Sequence, residues 1–100
     1  MTRADIFREI GDERAMQSLT FGGPHAHGSG DCSSPDVAVM VKVAVLLEEV
    51  GEVARAALEL RPAQMRAELV QVAAVAVAMI EGIDASSLDS HTGMPIGSVT

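Results

Sequence analysis

The stretch LVQVAAVAVAMI, Leu69 to Ile80, carries a single polar side chain, Gln71. A helix with this sequence is apolar almost all the way round, and such a helix has to be covered on every side. The rest of the composition agrees with packed helices. Of 100 residues 48% are hydrophobic but only two are aromatic, and the apolar set is mostly Ala, Val, Leu and Met. Few segments alternate apolar and polar residues as half-buried strands do, so the expected fold is all-α. A chain this short makes one domain. Three helices give Leu69 to Ile80 too little cover, so a homo-oligomer, dimer or tetramer, is expected, with helices joined in one bundle.

Working outward, LRPAQ (Leu60 to Gln64) breaks the pattern before this helix. Pro62 disfavours a helical Arg61 and suits a new helix start, so a helix is expected over 63–83. Upstream, SSPD (Ser33 to Asp36) resembles a helix start. Ser34 can accept free amide protons, Pro35 is shaped for the first helical position, and Asp36 complements the positive helix end. That predicts a helix over 35–60, forming a helical hairpin with 63–83. Ile6, Phe7, Ile10, Ala15 and Leu19 recur at helical spacing, giving an N-terminal helix within 1–20 that Gly11 weakens. The Gly-, Ser- and His-rich segment over 21–34 reads as a loop, and 84–100 as a flexible or partner-docked tail. The chain has no internal repeat.

Net charge excludes one class of partner. At -7, the chain lacks the clustered Lys and Arg that phosphate-backbone binding needs, so no nucleic acid polymer is expected. The two longest apolar runs, Val37 to Leu47 and Leu69 to Ile80, are interrupted by Lys42 and Gln71 and fall short of the roughly 20 residues that span a bilayer. No membrane partner is expected. Cys32 has no internal disulfide partner and no leader opens the chain, so a reducing cytoplasm is the expected compartment and Cys32 an inert loop thiol.

The chemistry sits in LLEEVGEV, Leu46 to Val53, where Glu48, Glu49 and Glu52 interrupt apolar sequence. Residues three and four apart share a helix face, so Glu49 and Glu52 project together and Glu48 adjoins Glu52. Like charges at the edge of a core, with an effective dielectric near 20 and about 6 Å apart, cost about 3 kcal/mol; a cation reverses that sign. The following helix has a second polar pair three apart, Glu68 and Gln71. In an antiparallel hairpin centred near position 60, Glu49 should face Gln71 and Glu52 should face Glu68. Oxygen ligands suit Mg²⁺ or Mn²⁺ rather than zinc, and Glu-x-x-Gln is not the Glu-x-x-His of a di-iron bundle.

LLEEVGE, fifteen intervening residues, then ELVQ resembles the EExxE and ExxD signature of the MazG-like, all-α nucleoside triphosphate pyrophosphohydrolase superfamily, over about residues 36–83. ERAMQSLTFGGPHAHG, Glu13 to Gly28, is similar to an ER-x-x-Q, Gly and His segment near the start of small MazG-like proteins. The resemblance implies Mg²⁺-dependent cleavage of a nucleoside or deoxynucleoside triphosphate between its α- and β-phosphates, in a housecleaning or pool-control role. It implies that Glu49, Glu52, Glu68 and Gln71 hold metal and that Glu48 orients or deprotonates the attacking water. Two departures stand out. Gln71 replaces the family's Asp with a neutral amide, and no Lys or Arg follows Arg66, where related enzymes place basic residues to clasp phosphates. Arg14, Lys42, Arg55 or Arg66 would have to substitute. In the loop, Phe21 could stack on a base and His25 or His27 could touch base or sugar, unless they only shape the loop. Lys42, the remaining substrate-binding candidate, is read first as a snorkelling side chain. The rival expectation is a non-catalytic helical module for nucleotide binding or protein association, with Gln71 as the mark of lost activity.

Overall fold

The computed structural model describes residues 1–86 and is mainly helical. The elements are three helices, α1 (Arg3–Phe21), α2 (Val39–Leu58) and α3 (Pro62–Ser86), and a mostly exposed two-stranded ribbon of β1 (Pro24–His25) and β2 (Gly28–Ser29) in the α1–α2 connection. α2 and α3 form the expected hairpin, and α1 packs on α3. Among the described residues no helix is long and apolar enough to cross a membrane. From residue 87 on, the expected tail lies outside the described residues; 84–86 belong to α3.

Local chemistry accounts for most boundaries. α1 starts with a reciprocal cap: Thr2 Oγ1 accepts the Asp5 amide at 3.2 Å, and Asp5 Oδ2 accepts the Thr2 amide at 3.0 Å. Gly11 does not break it; the helix runs on through this exposed position.

α2 begins at Val39, four residues later than the SSPD reading places it, and its Ala38 cap makes no side-chain bond. The would-be capping groups are used within the loop. Ser34 Oγ donates to the Ser29 carbonyl at 2.6 Å and accepts the Asp36 amide at 3.1 Å, while the Asp36 carboxylate accepts the Ser29 amide at 2.7 Å. The segment read as a plain loop is therefore a bonded ribbon, with Pro24 paired to Ser29 and His25 to Gly28. Gly28 is required there. It has φ +126°, and a Cβ would meet the Asp36 carbonyl oxygen at 2.5 Å. The loop also rests on α3 at Gly82, where a Cβ would lie 2.9 Å from the Ser33 carbonyl oxygen.

The hairpin turn is a Schellman closure. The Arg61 amide donates to the Ala56 carbonyl at 2.9 Å and the Leu60 amide to the Ala57 carbonyl at 3.2 Å. Leu60 adopts φ 55°, a left-handed conformation that costs a branched residue about 1 kcal/mol relative to glycine. Its side chain is 86% exposed, so no packing compensates. Leu60→Gly is expected to stabilise the fold by about 0.5–1 kcal/mol, raising Tm by several degrees; thermal melts of the two proteins check it.

The core is thin. Among the described residues, Val37, Ala56, Ala74, Val75 and Ala78 are its buried apolar residues, and no large side chain is fully buried. Leu47, Leu58, Leu69, Ile80 and Ile83 are all exposed.

Candidate functional site

One face of α1 supplies Glu13, Met16, Gln17, Thr20 and Phe21 to a groove of about 380 Å³. Their three- and four-residue spacing places them in one stripe along the helix. Glu49 from α2 and Glu68 and Gln71 from α3 complete the lining. The hairpin thus brings carboxylates of both its arms into one groove, with the first helix as the third wall.

Within it Glu49 faces Glu68. Burial pushes the Glu49 carboxyl above the usual carboxylate range. The Glu68 carboxylate adds to this by repelling its charge and hydrogen-bonding its protonated form, and Glu48 and Glu52 contribute repulsion. This pairing differs from the expected Glu49–Gln71 and Glu52–Glu68 partners; Gln71 lines the same groove but bonds to α1. Its Nε2 donates to Glu13 Oε1 at 2.6 Å, and its Oε1 accepts from Gln17 Nε2 at 3.1 Å. Both ends of the amide are engaged in this arrangement, and Gln17 is itself buried.

Glu52 is half-buried and faces the turn. With Arg55, Ala56, Glu59, Arg61 and Gln64 it lines a second, open cleft of about 310 Å³. Gln64 joins the two, donating to Glu68 Oε1 at 2.7 Å. Glu48 is exposed and lines neither cleft.

The other expected site residues have different surroundings. Of the substrate-binding set, Phe21 alone lines the groove. Arg14 bonds Asp31 at 2.8 Å and Glu81 at 2.5 Å, tying α1 to the loop and to α3. His25 bonds the Gly30 carbonyl at 2.7 Å through Nε2 and accepts the His27 amide at 3.1 Å through Nδ1. That pattern fits the neutral Nε2–H tautomer and a role in shaping the ribbon. Lys42 is buried. Arg66 makes a two-pronged pair with Glu9, both contacts 2.8 Å. Cys32, half-buried, has its thiol pushed up by burial and by the Asp31 charge, in keeping with an inert thiol.

Glu13 and Gln17 were not singled out from the sequence as site residues. The signal was present in ERAMQ, whose Glu13, Met16 and Gln17 fall on one helix face, but nothing in the sequence says that this face turns toward the hairpin.

The donors fit a hard divalent cation in chemistry, being carboxylate and amide oxygens. Among the described residues no three His, Cys, Asp or Glu side chains form a ready-made metal cluster. Mg²⁺ does not need one, since it is commonly held by one or two carboxylates together with substrate phosphates and water. The Glu49–Glu68 pair meets that requirement. Comparison with protein-family models, with curated proteins and with solved structures finds no match for this chain.

Proposed function

We propose that this chain is a Mg²⁺-dependent nucleoside triphosphate pyrophosphohydrolase that works as a homo-oligomer. The observation that carries the reading is the juxtaposition of Glu49 and Glu68 in a groove walled by three helices. Two half-buried carboxylates held together are unfavourable alone and favourable around a cation. The resemblance of the two glutamate motifs to the MazG-like signature supplies the reaction class.

Glu49 and Glu68 would hold the ion, and Glu52, one turn on, adds negative field from the turn side. When bound, Mg²⁺ neutralises phosphate charge and lowers the pKa of water. An acidic protein accepts a polyanion only with such compensation. Phe21 and Met16 offer the groove's apolar surface to a base. In the reaction a water oxygen bonds to the α-phosphorus, the bond to the bridging oxygen breaks and pyrophosphate leaves. The water proton passes to a carboxylate of the groove; Glu48, the residue the resemblance indicates, is exposed and lines neither cleft, so the base falls to a groove glutamate instead. A panel of nucleoside and deoxynucleoside triphosphates with Mg²⁺ or Mn²⁺, followed by ³¹P NMR, should yield monophosphate and pyrophosphate. Glu52→Gln should suppress that yield. Unchanged nucleotide across the panel, from protein that is folded, removes the reading.

One observation favours the rival, a non-catalytic nucleotide-binding or protein-interaction module. The Gln71 amide, standing where the signature has Asp, is spent on Glu13 and Gln17 rather than turned to a ligand. Nucleotide binding without turnover would select that module.

The oligomer is supported by an apolar seam on α2. Met40, Ala44, Leu47, Gly51, Ala54 and Leu58 alternate four- and three-residue steps and are all exposed. That is the 3.5-residue period of helices packed along a shared seam, and the small residues permit close approach. Sedimentation should find a dimer or larger assembly. Leu47→Glu with Leu58→Glu should shift it to monomer; a monomeric parent protein would contradict the seam.

A further inference from the structure

The acidic groove leaves open what receives the phosphates, because no basic residue lines it. The conformations of the cations narrow the choice. Arg14 is locked between Asp31 and Glu81, Arg66 is bidentate on Glu9, and Lys42 is buried. Arg55 and Arg61 differ. Their side chains are 70% and 61% exposed, and each meets Glu59 only at long range, 3.8 and 3.9 Å. Pairs of that geometry hold an arginine weakly, so a phosphate can take it.

Position then matters. Arg55 and Arg61 line one cleft with Glu52 and Gln64. Gln64 is bonded to Glu68 of the carboxylate groove, so the cleft that holds the two arginines, together with Glu52 and Glu59, adjoins the acidic one. Along α2, Glu49 and Arg55 are six residues apart, about 9 Å of helix. The first turn of α3 adds its positive end at the same place.

We propose that Arg55 and Arg61 are the phosphate clasp of this protein, binding the diphosphoryl group that leaves as pyrophosphate. The inference rests on the hydrolase reading and sets a direction for the substrate. The nucleoside lies toward Phe21, the α-phosphate at Glu49 and Glu68, and the β- and γ-phosphates at the hairpin turn. Forked guanidinium contacts to phosphate oxygens suit this role better than a lysine point charge.

The test is calorimetric titration of magnesium pyrophosphate into the full-length protein, into Arg55→Ala/Arg61→Ala and into Arg3→Ala/Arg8→Ala, which removes the same charge elsewhere. Both targeted side chains are exposed, so the fold should persist, as circular dichroism will verify. The expected result is saturable binding that weakens about tenfold or more in the clasp variant and little in the control. Equal weakening in both variants, or no binding by the parent protein, overturns the clasp. Nucleotide turnover reports separately on the reaction. Turnover with pyrophosphate affinity unchanged by Arg55→Ala/Arg61→Ala refutes the clasp and spares the enzyme; loss of affinity in that variant, with no turnover by the parent, supports a polyphosphate-binding clasp and refutes the enzyme.

Discussion

Glu49→Gln should do two opposite things: abolish Mg²⁺-dependent pyrophosphate release, by about 10²-fold or more in kcat, and make the metal-free protein more stable. The activity loss follows from replacing a charged oxygen ligand with a neutral amide. The stability gain follows from the environment of Glu49, which burial and the facing Glu68 carboxylate both disfavour as an anion. Because its folded pKa is raised, the favourable contribution of its protonated form is fully present below the ordinary glutamate range, about pH 4.3, and is lost as pH rises through the raised value. At pH 7 the parent protein therefore carries the repulsion and the variant does not. A gain of roughly 0.5 kcal/mol, about 2–4 °C in Tm, is expected at pH 7 and should vanish near pH 4. Activity loss accompanied by destabilisation would mean instead that Glu49 is a structural residue.

Arg14→Ala should be the most damaging single substitution to the fold. Arg14 and Asp31 have side chains 13% and 8% exposed, so truncating the arginine strands a buried carboxylate. Burial pushes Asp31 up, but bonds from Ser33 and from Arg14 outweigh it and hold its carboxyl below the usual range. The Ser33 bonds survive the substitution, which limits the cost to about 2–3 kcal/mol and the fall in Tm to about 8–24 °C. The pH dependence has the opposite sense to that of Glu49. A lowered folded pKa gives stability that is present above the ordinary aspartate value, about 3.9, and lost as pH falls through the folded one. Acid should thus narrow the gap between parent and variant, as urea melts at pH 7 and pH 3 will show. Arg14 does not line the groove, so turnover per folded molecule should survive at low temperature. A selective rise in KM would instead return Arg14 to the substrate site.

These two residues show where sequence was sufficient and where it was not. The spacing of Glu48, Glu49, Glu52, Glu68 and Gln71 about a proline break made the hairpin legible, because helical period and Pro62 are local properties. That Glu49 and Glu68 share a groove follows from the same period. Which oxygens pair across it was not legible, since Gln71 is engaged by α1, through contacts between residues 54 and 58 positions apart. The loop misled for a related reason. Ser34 and Asp36 have the chemistry of a helix cap, yet a ribbon five to seven residues upstream competes for the same groups and wins them. Arg14, one of several basic residues by sequence alone, acquires its role from Asp31 and Glu81, far along the chain.

The most direct test of the cation-holding carboxylate pair is a Mn²⁺ titration at pH 7 followed by electron paramagnetic resonance, on the parent protein and on Glu68→Gln, with and without nucleotide. A saturable site that nucleotide tightens and Glu68→Gln removes is the expected result. Mn²⁺ that stays free in the parent protein with nucleotide present, or binds equally well to the variant, would contradict it.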